Sequence, residues 1–182
     1  MIRTIGMIEL NSIARGIQVA DEMLKAAEVN LIFAKSVCPG KYVILITGNV
    51  GAVETAINHG MSLGENYLVN KLILPNVHPQ VIPAITASGN IEKLKDLGVL
   101  EFFSIAAAIV AADAAVKSAN IDLIEVRLGV GIGGKAFVTF TGEISSVKNA
   151  VTVGAGTALE SGMLVNKAVI SGPSKELLQH LL

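Results

Sequence analysis

The spacing of apolar residues near the start of the chain predicts a strand followed by a helix. Residues 2–10 form a short apolar run of the kind found in buried strands. Ser12 is a suitable N-cap for a helix that runs to about residue 28, because serine side chains accept hydrogen bonds from free backbone N–H groups at helix starts. The apolar residues that recur there at helical spacing are Ile13, Ile17, Ala20, Leu24 and Ala27.

Two β-rich runs follow at residues 29–34 and 42–47, and the Pro-Gly pair between them predicts a hairpin turn. Small and apolar side chains at helical spacing over residues 53–60 predict a second helix, and residues 67–74 predict a last strand. A short helix near residues 79–85 closes the unit. The order is β-α-β-β-α-β, a ferredoxin-like layout of the α/β (α+β) class.

The second half of the chain repeats the first. Residues 6–32 align with residues 98–124, and the sequence Leu-Val-Asn-Lys of residues 68–71 recurs at 164–167. A repeat of this length indicates a duplicated domain.

Three segments are assigned from the repeat: a first domain over residues 1–87, a polar linker over 88–96, and a second domain over 97–182. The elements predicted for the second domain are residues 97–102, 104–119, 123–128, 135–140, 147–159 and 164–170.

The composition favours a protein that buries surface against other subunits. Apolar residues make up 52% of the 182 residues and charged residues only 16%, which is more apolar than a soluble domain of this size needs. The longest uncharged apolar stretch, residues 102–112, is too short to cross a bilayer. Arg3 and Glu9 lie in the first ten residues with no apolar region after them, so we expect no secretory signal and a cytosolic location.

Charge and cysteine content exclude other classes. The formal net charge is -1 and the basic residues are not clustered, so no nucleic-acid partner is expected. The single cysteine, Cys38, excludes a disulfide within the chain.

Several short blocks resemble the shell-protein domain of bacterial microcompartments. They are Gly-Met-Ile-Glu-Leu at residues 6–10, Ala-Asp at 20–21, Lys-Ala-Ala at 25–27 and Gly-Asn-Val-Gly-Ala-Val at 48–53. The resemblance covers essentially the whole chain, twice, in unpermuted order. A tandem pair is similar to trimeric shell proteins, in which three chains mimic a hexagonal tile. The resemblance therefore implies a pseudo-hexameric homotrimer in a microcompartment shell, with other shell proteins and enclosed redox enzymes as partners and no catalysis of its own.

Residues 36–41, Ser-Val-Cys-Pro-Gly-Lys, resemble the pore loop of a propanediol-utilisation shell protein that carries an iron–sulfur cluster at its threefold axis. The resemblance implies that Cys38 is a metal ligand and that one 4Fe-4S cluster per trimer passes electrons across the shell. Such clusters normally take four cysteines, and three chains supply three. The fourth ligand stays open, and so does the alternative of a metal-free pore for small molecules. The pore-loop residues are then Ser36, Val37, Pro39 and Gly40, with Gly131, Gly133 and Gly134 from the second copy.

The glycine-rich segment 129–135 also matches the G-x-x-x-x-G-K spacing of a nucleotide phosphate loop. Ala136 stands where that motif needs a Ser or Thr hydroxyl, and residues 137–140 read as a strand where the motif opens a helix. We therefore expect no ATP binding. The glycines instead predict a loop that can crowd a shared axis with its N–H groups free to favour anions.

Two acid–lysine pairs stand at i and i+4 in matching helices, Asp21 with Lys25 and Asp113 with Lys117. The spacing alone predicts a weak exposed pair of ~0.3 to 0.5 kcal/mol. In the shell family this lysine lies at the tile edge, so the resemblance implies that Lys25 and Lys117 serve assembly between trimers.

The remaining polar residues suggest structural roles. Glu9 and Glu101 are matched acids within apolar strands, which predicts an interface or a hydrogen-bonded buried role. The three histidines lack ligand spacing, and each is interpreted as a surface or helix-end residue. They are His59, His78 and His180. A small cytosolic redox or ligand-sensing protein remains a third functional hypothesis.

Overall fold

The structure is a computed structural model that describes residues 4–89, 91 and 93–179; His180 lies outside them. The chain divides into two compact units between Val77 and His78. The first unit contains β1 (Thr4–Leu10), α1 (Ile13–Ala26), β2 (Asn30–Val37), β3 (Lys41–Gly48), α2 (Val50–Gly64) and β4 (Leu68–Leu74). The second contains α3 (Val81–Ile85), β5 (Asp96–Phe102), α4 (Ile105–Ser118), β6 (Ile121–Leu128), β7 (Ala136–Gly142), α5 (Ile144–Leu159), β8 (Leu164–Ile170) and α6 (Lys175–Gln179).

Each unit has one four-stranded antiparallel sheet, with strand orders β2-β3-β1-β4 and β6-β7-β5-β8. Two long helices in each unit pack on the sheet and on one another. This order confirms the predicted tandem ferredoxin-like fold. No helix within the described residues is both long and apolar enough to serve as a membrane span.

Matching caps start the first helix of each unit. The Ser12 side chain accepts a hydrogen bond from the Arg15 N–H, and Ser104 accepts one from Ala107. These bonds satisfy N–H groups that have no partner within the helix. In the second helix of the first unit, Asn49 caps in the same way, and α2 therefore begins at Val50, ahead of the expected residue 53.

The core of the first unit lies between its sheet and its helices. The Ile8 side chain points from β1 to the helices, where it packs with Met23 and Ile57, and all three are fully buried. Gly16 allows α1 to approach β3 closely, because a Cβ atom there would lie 2.4 Å from Cδ1 of Tyr42. Burial of this apolar face, rather than helix propensity, holds α1 in place.

Two segments depart from the sequence expectations. β2 extends to Val37, which pairs with Lys41 across the hairpin, so the connecting loop is only three residues long. The short helix expected to close the first domain instead packs on α4 and β6 of the second unit. The His78 N–H donates to Oδ1 of Asp113 at 2.7 Å, which holds the start of this segment there.

Candidate functional site in the two hairpin loops

The first candidate loop is the turn from β2 to β3, formed by Cys38, Pro39 and Gly40. The Gly40 N–H donates to the Val37 carbonyl at 3.0 Å, and Gly40 adopts a φ of 82°, which glycine adopts readily. Cys38 is a free, half-buried cysteine in this turn and is not part of the buried core. Its thiol is therefore placed at a loop tip, where a partner or ligand can reach it.

The second loop, residues 129–135, joins β6 to β7. Its ends are held by a hydrogen bond from the Gly129 N–H to the Lys135 carbonyl at 3.0 Å. Four of its glycines adopt positive φ, and a Cβ atom at Gly131 or Gly133 would meet no atom within 4 Å. The chain continues into strand β7 and not into a helix, as the sequence analysis expected when it set aside nucleotide binding.

A lysine at the C-terminal end of each loop forms an ion pair with the neighbouring strand: Lys41 is the first residue of β3, and Lys135 is the last residue of the second loop. Lys41 Nζ lies 2.5 Å from Oε1 of Glu9, and Lys135 Nζ pairs with Oε1 of Glu101. The two acids occupy matching positions in β1 and β5. The predicted hydrogen-bonded role of Glu9 and Glu101 is thus an ionic tie between the central strand and the end of each loop.

The two ties differ in their exposure to water. The Glu9 side chain is 3% exposed and Lys41 is 23% exposed, whereas Glu101 and Lys135 are 32% and 42% exposed. A carboxylate as buried as Glu9 requires a paired cation, because burial of an unpaired charge is costly. Loss of the cation is therefore expected to cost more at the first loop than at the second.

Lys41 and Lys135 were not predicted as functional residues from the sequence. The repeat contains a signal for this pairing, because Lys41 aligns with Lys135 and Glu9 aligns with Glu101. What the sequence did not show was that β1 and β3 are neighbours in register, with Glu9 opposite Val43. That register brings the two side chains together.

A single chain does not complete a metal centre within the described residues. They contain no group of three or more His, Cys, Asp or Glu side chains placed to hold one metal ion. Cys38 thus provides one thiolate, and any cluster it binds needs ligands from other copies of the chain.

The two helix lysines keep their intrachain partners. Lys25 donates hydrogen bonds to Asp21 and Glu22, and the bond that Asp21 accepts is the largest cause of the raised Lys25 pKa. Lys25 is therefore charged at neutral pH. Lys117 lies 2.5 Å from Asp113, whose side chain is only 8% exposed. Both lysines lie in the last turn of a helix, where a positive charge is favourable.

The described histidines take no part in the loops. His59 Nε2 lies 4.0 Å from a carboxylate oxygen of Glu22 on the surface of the first unit. His78 lies just before the first residue of α3, where its Nδ1 accepts a hydrogen bond from the Gln80 N–H at 3.3 Å.

The fold and the duplicated loops define a tandem shell-domain protein: the chain belongs to the BMC domain family of bacterial microcompartments, whose model matches residues 4–77 and again 96–173. It is 45% identical to the bacterial microcompartment shell protein PduT of Citrobacter freundii over 97% of this chain and 96% of that protein.

Solved structures agree. A microcompartment protein from Desulfitobacterium hafniense is 51% identical and superposes with a TM-score of 0.94 over 97% of this chain and 98% of that one. A fused permuted hexameric shell protein shares the fold alone, with 22% identity and a TM-score of 0.64 over 87% of this chain and 84% of that one.

Proposed function

We propose that the protein forms a homotrimeric tile of a microcompartment shell and that three Cys38 thiolates, one from each chain, hold a 4Fe-4S cluster at the central pore. The observation that supports the cluster is the position of Cys38, a free thiol in a three-residue turn that ends in a glycine with positive φ. A lone cysteine is more often a buried core residue, whereas Cys38 lies in a turn outside the buried core.

The donor set of the loop fits a shared cluster and not a site within one chain. Cysteine thiolates are the usual protein ligands of iron–sulfur clusters, and each chain contributes one. The ionic tie from Lys41 to Glu9 fixes the strand end that follows Cys38, so the thiol is presented on a rigid hairpin. A bound cluster would accept and release single electrons, which suits transfer across the shell to enclosed redox enzymes.

The second loop supports the same proposal. Its glycines carry no side chains, so three such loops can approach the axis beside the three cysteine loops. Their backbone N–H groups would favour the negative charge of a thiolate-ligated cluster. Gly131, Gly133 and Gly134 are assigned this role.

Iron binding tests the cluster directly. After anaerobic purification and reconstitution, we expect iron and a broad visible absorbance in the wild-type trimer and neither in Cys38→Ser. Serine keeps the size of the side chain but removes the thiolate, so Cys38→Ser should remain folded and trimeric. A colourless wild-type trimer after reconstitution would contradict the cluster.

A metal-free pore for small molecules is the second candidate. It is compatible with the single free thiol that each chain provides, because a lone cysteine in a loop does not by itself require a metal. A colourless trimer that still forms sheets would support it. A monomer in solution would instead support the third hypothesis, a redox or ligand-sensing protein.

We further propose that Lys25 and Lys117 join neighbouring trimers at the tile edge. Replacing both by alanine should leave trimers intact and weaken two-dimensional arrays in electron micrographs, because each trimer edge would lose its cation. Lys148→Ala, at an exposed lysine of α5, is the control and should leave arrays unchanged. Normal arrays from the double variant would refute this assignment.

A further inference from the structure

The first helix of each unit carries the same apolar residues, but only one of the two helices is covered. Ile17 of α1 is 56% exposed, whereas its equivalent Ile109 of α4 is fully buried. Leu31 of β2 is 44% exposed and its equivalent Leu123 is 3% exposed. We name the exposed set the α1 face. It consists of Ile13, Ile17, Leu24 and Leu31.

In the second unit the matching surface is covered by the segment that precedes β5. Helix α3 packs on α4 and β6, and its Val81 is fully buried. Gln80 fixes this segment to the edge strand β6: its Oε1 accepts a hydrogen bond from the Leu123 N–H at 2.8 Å, and its Nε2 donates to Oδ1 of Asp122 at 3.3 Å. The His78 N–H donates to Asp113. The cover is thus held by apolar contact and three hydrogen bonds.

Residues 173–179, which we name the tail segment, occupy the equivalent place in the second unit. It follows β8 as residues 77–83 follow β4, and the turns leading to the two segments share a positive φ at Asn76 (53°) and Gly172 (58°). Ser174, Glu176 and Leu177 correspond to His78, Gln80 and Val81. Leu177 is 41% exposed, although its counterpart Val81 is fully buried.

We propose that the tail segment of one chain docks on the α1 face of a second copy of this chain. Leu177 would then cover the α1 face as Val81 covers α4, and the Ser174 N–H would donate to Asp21, the equivalent of Asp113. The proposal rests on the homotrimer proposed above and identifies the residues that join its subunits. A head-to-tail contact of this kind closes into a ring when the rotation between copies permits, as a trimer requires.

Hydrogen-bonding groups at the contact support a second copy as the occupant. In the covered unit the amide of Gln80 donates to the carboxylate of Asp122. At the proposed contact the positions are occupied by Glu176 and Asn30, so carboxylate and amide have changed places. The donor–acceptor match is preserved by the exchange. Two carboxylates would have lost it, because ionised carboxylates only accept hydrogen bonds.

A charge-exchange series tests the contact. Asn30 is exposed in the single chain, so Asn30→Asp should fold normally but place a carboxylate against Glu176. We expect association between chains to weaken by roughly tenfold or more, because like charges juxtaposed across an interface repel. Adding Glu176→Gln restores the pairing seen between Gln80 and Asp122 and should restore association. Sedimentation equilibrium over a concentration series measures both.

Asn66→Asp is the matched control for the charge series, because it adds the same charge at an exposed residue of the turn before β4. We expect this variant to associate like the wild type.

Leu177→Asp tests the apolar part of the contact and should also weaken association by roughly tenfold or more. A wild-type trimer whose association neither Asn30→Asp nor Leu177→Asp changes would overturn the docking and leave the proposed tile standing. Failure of Glu176→Gln to rescue Asn30→Asp would also overturn it. A monomeric wild-type protein would overturn both proposals.

Discussion

Helices α1 and α4 have related sequences and the same cap, yet α4 is buried on nearly every side and α1 presents an apolar stripe to solvent. The difference arises from the neighbouring segment, because α3 packs on α4, and no described element of the first unit packs on α1 in the same way. A duplicated sequence therefore does not give duplicated burial. Exposed apolar patches often mark protein–protein contacts, and the docking proposed above places another subunit on the exposed copy.

The loops show the same contrast on a smaller scale. The first unit uses a three-residue turn with one thiol and a nearly buried ionic tie, whereas the second uses a seven-residue glycine-rich loop with a tie open to water. The two units therefore share their strands and helices but differ in the loop between the second and third strands of each unit. Only the first loop carries a side chain suited to metal chemistry.

The largest expected difference between the units concerns Ile109 and Ile17. Ile109→Ala leaves a cavity in a packed core and should lower the free energy of unfolding by about 2 to 5 kcal/mol, independent of protein concentration. Ile17→Ala should reduce stability in a concentration-dependent manner, because the proposed docking covers Ile17 only on association. Thermal unfolding at several protein concentrations separates the two. Equal, concentration-independent losses would show that α1 and α4 have equivalent surroundings.

The next largest expected difference concerns the two ion pairs and the stability lost when the lysine of each is removed. Lys41→Ala leaves the carboxylate of Glu9 buried without a cation, and we expect a loss of roughly 3 kcal/mol. Lys135→Ala removes a partner from a solvent-exposed pair and should cost about 1 kcal/mol or less. Urea unfolding of both variants measures the comparison. Adding Glu9→Gln to Lys41→Ala should recover part of the loss, and no recovery would show that Lys41 acts through its packing.

Two helical glycines should show the last contrast. Gly16→Ala places a Cβ atom against the Tyr42 ring and should destabilise the protein by about 1 to 3 kcal/mol. Gly156 of α5 has no atom within 4 Å of such a Cβ, so Gly156→Ala should stabilise by roughly 0.5 to 1 kcal/mol through helix propensity. Melting temperatures of the two variants should move in opposite directions. A shift of the same sign would mean that α1 does not press on β3 as closely as described.

The sequence by itself determined the duplication, the order of strands and helices, the Cys-Pro-Gly turn and the strand after the glycine loop. Apolar periodicity, cap residues and turn residues are local properties, and they can be read from neighbouring positions.

Only the tertiary structure decided which matching residues are buried, that Lys41 and Lys135 pair with Glu9 and Glu101, and that residues 78–85 cover the second unit. These facts depend on which strands are neighbours and on which surface a short segment packs, and those contacts join residues far apart in the chain. Local periodicity does not predict these contacts. Ile17 and Ile109 occupy the same position in the apolar pattern, and yet Ile17 is exposed and Ile109 is buried.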